Sequence, residues 1–429
     1  MDQGDEPLVN SIAAATWALF AGLGLLLTGA GLIGSLLGVR AELEHFSTLT
    51  SGIIGASYYG GFLIGSKLAY AALARVGHIR VYVALASLTA AAILVQGLAP
   101  NPVTWTAMRL VTGICIAGQY VVAESWLNDL ATNENRGRLL AVYSIVVSAA
   151  FGFGQVLLGF GDPAKLTLFA LATIFMTLAV VPVALSESSA PKFQAPAPIS
   201  LKELATIVPS GFFATMIIGV THGGMFGMGA VYATKVGLSS TKLTIFLTAP
   251  LLGGIIGQIP ISSASDDVDR RAVTFFVALA AGSVALLLAL TSGVGWKASV
   301  LMLALGGFSY PLYALAAAYT NDWSPPDKLM AVASQLVLVY GAGALLGPLI
   351  VSTVMSVIGN QGFFWTTAVM HFVLAAFMLY RLFAWRRPLI YGPWSEVNIP
   401  ARAFYLPATM ITWSRRLRRK EDTPVRNRS

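Results

Sequence analysis

Residues Arg109 to Tyr143 read RLVTGICIAGQYVVAESWLNDLATNENRGRLLAVY. The stretch opens as an apolar helix with an arginine inside it and Glu124 near its far end. It then breaks into a polar turn holding Asn128, Asp129, Asn133, Glu134, Asn135, Arg136 and Arg138, and resumes as a second apolar helix. A weaker copy runs from Gly306 to Val332. Asn128–Asp129 matches Asn321–Asp322, Tyr120 matches Tyr313 and Gly113 matches Gly306 at one offset. After a three-residue gap, Arg138-Leu-Leu-Ala-Val142 matches Lys328-Leu-Met-Ala-Val332. One helix–loop–helix unit used twice points to a chain of two related halves.

Composition fixes the class. The chain has 429 residues, 56% hydrophobic and 11% charged, where soluble domains carry about 25% charged residues. Its apolar runs approach the roughly 20 residues that cross a bilayer as a helix. Helices satisfy their own backbone groups in lipid, so an all-α integral membrane fold is expected. With Cys115 the single cysteine, no intramolecular disulfide can form, and four scattered histidines suggest no metal site. Cys115 lies among small residues and reads as packing. The acidic start, MDQGDEP, lacks the basic segment of a secretory signal, so the first apolar stretch is expected to be a retained helix.

In chain order, spans are expected at roughly 14–38, 48–73, 81–99, 103–127, 139–160 and 166–185. The Pro- and Ser-rich stretch SESSAPKFQAPAPISLKE follows, over 186–203. Six further spans are expected at roughly 206–232, 242–264, 272–291, 297–320, 329–358 and 362–384. The division is a six-helix bundle over 1–185, a cytoplasmic linker over 186–205, a second bundle over 206–385 and a basic cytoplasmic tail over 386–429. With the N-terminus inside, Arg75, Arg80, Arg136, Arg138, Lys192, Lys202, Arg270, Arg271 and Lys328 face the cytoplasm. Arg40, Lys165, Lys235, Lys242 and Lys297 face out. That bias places both termini in the cytoplasm. The net charge is +8, and the tail run RRLRRK, Arg415 to Lys420, suits anionic lipid rather than nucleic acid.

Topology, repeat and motifs together resemble the major facilitator superfamily, and ESWLND…NENRGRLLAVY resembles its YcaD-like branch. The resemblance implies twelve transmembrane helices in two pseudo-symmetric six-helix bundles, with substrate carried between the halves by rocking. The superfamily's loop signature, Gly-x-x-x-Asp-Arg-x-Gly-Arg-Arg, is matched after the second span by Arg75 and Gly77. Tyr70 and Ala74 stand where its first Gly and its Asp would be. In the second half, the matching loop, Ser262 to Arg271, keeps the acid at Asp266 and the pair Arg270–Arg271. The second-half latch is therefore the better candidate for an ion pair. Arg109 and Gly113 match an Arg-x-x-x-Gly pattern that relatives associate with proton coupling. The antiporter Gly-Pro pattern is absent from the fifth span, where Gly154-Gln155 and Gly159 stand.

A cation inside a bilayer span is costly and faces a cavity or a partner. For Arg109 two readings stay open: an anion or coupling contact, or a structural hydrogen bond to carbonyls of the first or second helix. Glu124 lies 15 residues further on, about 22 Å along a helix, too far for one solute to bridge both. Glu124 reads as part of a cytoplasmic gate with Arg75, Gly77, Asp129, Arg136, Arg138, Asp266, Arg270 and Arg271. His222 can change charge near neutral pH, so it is weighed as a coupling group against a structural histidine; His371 is a weaker candidate. Gln119, Tyr120, Tyr310 and Tyr313 sit on spans that line the cavity in relatives, where they would suit an organic solute or else serve packing. Lys67 can snorkel to the surface. Glycine pairs Gly34/Gly38, Gly61/Gly65, Gly253/Gly257 and Gly343/Gly347 predict close helix crossings.

No phosphate-binding loop, cofactor motif or catalytic cluster is legible, so no catalytic residue, cofactor or metal is assigned. The expectation is a multi-pass transporter of the inner or plasma membrane, acting as a monomer. It would move a small organic solute by alternating access with protons as the coupling partner. The alternatives are a transport-inactive receptor or regulatory subunit and, further off, a membrane-embedded enzyme.

Overall fold

The computed structural model describes residues 6–131, 136–185, 200–291, 295–324 and 328–384. Side chains of 6–15 and of Arg136 and Arg138 lie outside the described set, as do most of the linker and the basic tail. The first half comprises α1 (Glu6–Leu43), α2 (Thr48–Val76), α3 (His78–Leu98), α4 (Pro102–Leu130) and α5 (Arg136–Leu157). Its sixth span is broken at Ala179 into α6 (Thr167–Leu178) and α7 (Val180–Ala184). A short α8 (Leu201–Ile207) leads into α9 (Pro209–Lys235), α10 (Ser240–Asp267) and α11 (Arg270–Leu290). The tenth span divides at Tyr310 into α12 (Trp296–Ser309) and α13 (Pro311–Asp322), because Pro311 has no N–H to continue the ladder. The chain's described part closes with α14 (Leu329–Ile358) and α15 (Gly362–Ala384).

Several expected spans differ in detail, the first most: it runs Glu6–Leu43 rather than 14–38. The seventh was expected to begin near 206; it begins at Pro209, with α8 as a separate turn capped by Ser200. Eleven of the described helices are long and apolar enough to cross a membrane by composition. The twelfth, α2, falls below that mark because it carries Thr48, Thr50, Ser51, Ser57, Ser66 and Lys67. Its place in the bundle explains the polarity: α2 packs on α4 within its half and on α9 and α14 of the other. It therefore meets protein along much of its length.

Glycines set the distance between helices. A Cβ on Gly61, Gly65 or Gly113 would collide with the carbonyls of Leu110, Ile114 and Tyr58, so α2 and α4 cross in backbone contact. In the second half, Gly253, Gly257 and Gly306 meet the carbonyls of Leu303, Gly307 and Pro250, which joins α10 to α12 in the same way. The same repetition links α1 with α5 through Gly31 and Gly154, and α9 with α14 through Gly219, Gly223, Gly343 and Gly347. Lipid supplies no hydrophobic drive for helix association, so such dispersion contacts carry much of it. One pair departs from expectation: Gly34 has open space beside it, and Gly38 meets Ala230 and Val231 of the opposite half.

Turns are equally specific. Gly77 ends α2 and begins α3 with φ of 82°, a conformation that side chains resist. Asp269 caps α11 by accepting from the Arg271 backbone N–H at 2.8 Å and from its Nη2 at 2.7 Å. Partial burial pushes the Asp269 carboxyl up, but the Arg271 contacts outweigh it and hold the group below the ordinary carboxylate value.

Two outcomes test this packing. Gly113→Val and Gly306→Val should each destabilise the protein by about 1–3 kcal/mol or prevent folding, whereas Gly34→Ala should be neutral, as read by thermal denaturation in detergent. Because the folded Asp269 value is lowered, its contribution is complete above the unfolded-state value and is lost as pH falls through the folded one. Asp269→Asn should therefore lower the melting temperature at neutral pH, and the gap should close below about pH 4.

Candidate functional site

A central cavity lies between the halves, lined from the first by Ser35, Tyr58, Tyr59, Arg109, Phe151 and Gln155 and from the second by Met225, Phe226, Phe246, Pro250, Tyr310 and Phe363. Its empty volume is about 930 Å³, including the part open to solvent. Arg109 is the one charged residue on the described lining. Its guanidinium lies over the Tyr58 ring, 4.2 Å from the centroid. Tyr58 is held there by the α2–α4 crossing, since its own carbonyl is the atom packed against Gly113. Among the described residues no carboxylate and no carbonyl pairs with this guanidinium, so the structural hydrogen bond weighed for Arg109 is not formed.

Aromatic rings bridge the halves across the cavity. Phe151 of α5 meets Phe226 of α9 edge-on at 6.1 Å, and Phe226 stacks on Tyr310 at 5.8 Å. Behind Tyr310, which it meets edge-on at 5.2 Å, lies His222. His222 is fully buried and belongs to a chain of hydrogen bonds through four helices. His371 Nδ1 lies 2.7 Å from the Thr367 carbonyl, which can only accept, so Nδ1 carries the proton. With that ring neutral, His371 Nε2 accepts from Ser309 Oγ at 2.9 Å. Ser309 has one proton, so its Oγ accepts from His222 Nε2 at 3.1 Å, with the Ser309 carbonyl at 3.2 Å as a second acceptor. His222 Nδ1 is left to accept from the Tyr340 hydroxyl at 3.4 Å. Every proton in the chain then has one direction.

The remaining sequence candidates fall elsewhere. Gln119, Tyr120 and Tyr313 are buried in helix packing and do not line the cavity. Tyr313 instead meets Tyr340 edge-on at 5.2 Å. Glu124 is half-buried one helical turn beyond Tyr120. Arg75 and Asp129 are exposed and make no ion pair among the described residues. At their end of the bundle the second half is tied more firmly. Arg270 Nε pairs with Asp322 at 2.5 Å, and Arg270 Nη1 lies 3.5 Å from Asp266 and 3.1 Å from Ser265 Oγ. Arg270 thus fastens the α10–α11 turn to the end of α13. In the first half, in the same loop register, His78 stands for Arg270 and bonds Ser125 Oγ at 2.9 Å. Lys328 of the α14 start pairs with Glu203 of α8 at 2.8 Å, a contact that lowers the Glu203 carboxyl.

The opposite end joins the halves. Lys235, at the end of α9, pairs with Glu42, at the end of α1, at 3.1 Å. Gly52 meets Ser352 and Pro348 there, and Gly55 meets Pro348 and Gly227. Gly159 comes close to Thr244. The ion pairs described at the Arg270 end each stay within the second half and its α8 lead-in.

Sequence reasoning missed Tyr58, Tyr59, Gln155, Ser309 and Tyr340 as site residues, and Glu42 and Lys235 as partners. The Tyr58–Tyr59 pair in mid-helix was a legible signal. Ser309 and Tyr340 carried none, since a single hydroxyl in an apolar span is ordinary.

Comparison with known proteins agrees with this arrangement. The family model described as Major Facilitator Superfamily matches residues 18–239 and 211–391. The MFS-type transporter YcaD of Escherichia fergusonii is 27% identical over 367 residues, covering 84% of this chain and 94% of that protein. The nucleoside transporter NupG has a similar fold at a TM-score of 0.70 and 13% identity, covering 85% of this chain and 98% of NupG. A bacterial homologue of the human lysosomal transporter Spinster, in an inward-facing and unoccupied conformation, gives 0.69 at 14% identity, over 87% and 97%. Family model, relatives and fold coincide with a cavity between two six-helix bundles, and the chain, a multi-pass inner-membrane transporter rather than an enzyme, belongs to the Major Facilitator Superfamily.

Proposed function

We propose that the chain is a secondary active transporter that moves a small organic solute by alternating access, coupled to protons. The observation that carries this reading is the asymmetry around the cavity. At the Lys235 end the halves meet through glycine contacts and the Glu42–Lys235 pair. At the Arg270 end the described ion pairs stay on one side of the division. With the positive-inside orientation, the Arg270 end faces the cytoplasm and the arrangement is inward-facing. Alternating access needs a contact present in one state and absent in the other. Glu42–Lys235 meets that need on the outer side. On the inner side, Glu124 and Asp129 with Arg75, Gly77, Arg136 and Arg138 are the first-half gate candidates. Asp266, Arg270 and Arg271 are the second-half ones. The three sites of the second half are already braced, so closure would bring the first-half groups against a preformed surface.

Proton coupling rests on the His222 chain. A proton added at Nδ1 removes the acceptor that Tyr340 uses, and Tyr340 must turn. Tyr340 lies on α14, whose outer part packs against α2 of the other half, while Tyr310 carries the same event to the cavity wall. Protonation, cavity shape and the contact between halves therefore share one group of side chains. The basic tail is assigned to anionic lipid and the functional unit to the monomer.

A ligand-stabilisation screen on purified protein, followed by proteoliposome uptake of the stabilising solute, tests the reading. Uptake should rise with an imposed pH gradient. His222→Gln should abolish gradient-driven accumulation while solute exchange persists, and Tyr340→Phe should lower it partly; accumulation indifferent to the gradient removes the coupling. For the outer gate, a cysteine at Ala230 in a Cys115→Ser background should react about fivefold faster with an impermeant thiol reagent after Lys235→Gln, the change expected for a pair worth about 1 kcal/mol. Equal rates would take this pair out of the gate.

A further inference from the structure

We infer that the central cavity is built for an organic monoanion with an apolar or aromatic body, its acidic headgroup held by Arg109; as a statement about the cargo this rests on the transport reading above. The first support is charge balance. Arg109 is the single charged group on the described lining, and no carboxylate or carbonyl of the described residues pairs with it. Cations inside a membrane protein face a partner or water because the uncompensated charge costs several kcal/mol. The Tyr58 ring at 4.2 Å offsets part of this, about 0.5–2 kcal/mol for a cation over an aromatic face. That stacking occupies one face of the guanidinium of a residue on the cavity lining and gives its forked N–H donors no acceptor among the described residues. A carboxylate or sulfonate matches that fork, and a bidentate contact is the strongest pairing a guanidinium makes.

A second, independent observation points to a polar ligand in the same cavity. Gln155, on α5 across the cavity, is 4% exposed, and its Oε1 has no partner. Oε1 is an acceptor, and leaving it unsatisfied costs about 1–3 kcal/mol, so a hydroxyl or N–H on the ligand body, apart from the acidic headgroup, would recover what the apo arrangement forgoes. The rest of the wall explains the body. Phe151, Phe226, Phe246 and Phe363 supply flat apolar surface around the polar pair. The lining also fixes the charge number: with one cation present, a second negative charge on the ligand would be desolvated without a counterion. A dianion is therefore excluded more strongly than a neutral isostere, and a cation is repelled.

The test is equilibrium binding to the purified full chain in detergent, by calorimetry, with four probes of one shape. They are 2-naphthoate, 2-naphthamide, naphthalene-2,6-dicarboxylate and 2-naphthylmethylammonium. The monoanion should bind about tenfold or more tighter than the amide, the gain of a charge-assisted pair, with the dianion and the cation weaker still. Arg109→Gln should remove the monoanion's advantage and leave amide affinity within about twofold, which also shows that the variant folds. Arg109→Lys, which keeps the charge without the fork, should retain part of it. Equal binding of naphthoate and naphthamide, no naphthoate binding, or an anion preference that survives Arg109→Gln overturns the assignment. Counterflow of labelled naphthoate in proteoliposomes separates the two readings. Anion-selective binding without flux keeps this site and removes transport, whereas flux of a solute with no anion preference does the reverse.

Discussion

The structure depends on carbonyl oxygens lying where side chains would otherwise be. In lipid, apolar side chains gain nothing by leaving their surroundings for one another, so helices hold together by close contact and by their few polar groups. Gly61, Gly65 and Gly113 let α2 and α4 touch backbone to backbone, and Gly253, Gly257 and Gly306 do the same for α10 and α12. Each half is made rigid by these crossings. Between the halves, the contacts described at the Lys235 end are glycine approaches and one ion pair.

The cavity takes its character from the same contacts. The carbonyl of Tyr58 is wedged against Gly113, one turn from Arg109, so the crossing that fixes α2 on α4 also sets the Tyr58 ring under the guanidinium. A charge that would be intolerable in lipid is kept at the protein's centre by a packing contact. On the other side, the His222–Ser309–His371 chain ties α9, α12 and α15 together at hydrogen-bond distance, with Tyr340 joining from α14. The two halves thus contribute different chemistry: the first places a cation on the cavity wall, and the second holds a hydrogen-bonded histidine chain behind Tyr310.

The duplicated unit has diverged most where the halves are braced. In the second half Arg270 reaches both Asp322 and Asp266. In the first, Ala74 replaces the acid, His78 replaces the arginine, and the remaining link is a hydrogen bond to Ser125. A neutral bond in place of two ion pairs leaves the first-half turn less firmly fixed.

By itself the sequence determined that the chain is an all-helical membrane protein of two related halves. Those properties are written in composition, run length and repeat, which are local and survive any packing. It also marked Arg109, because a cation within an apolar span is anomalous wherever the span goes. The second-half latch was legible too, since the loop Ser262 to Arg271 keeps the acid and the arginine pair of the signature. Tertiary structure alone decided what surrounds each of these groups. That Arg109 and Tyr310 share a cavity while Gln119, Tyr120 and Tyr313 turn away depends on helix rotation, which glycine contacts between distant segments fix. That Ser309 joins two histidines 149 positions apart in the chain (222 and 371), and that Glu42 finds Lys235, are facts of long-range geometry. A single hydroxyl or a charge at a helix end has no periodicity for the sequence to reveal; its meaning comes from the partner that folding brings to it.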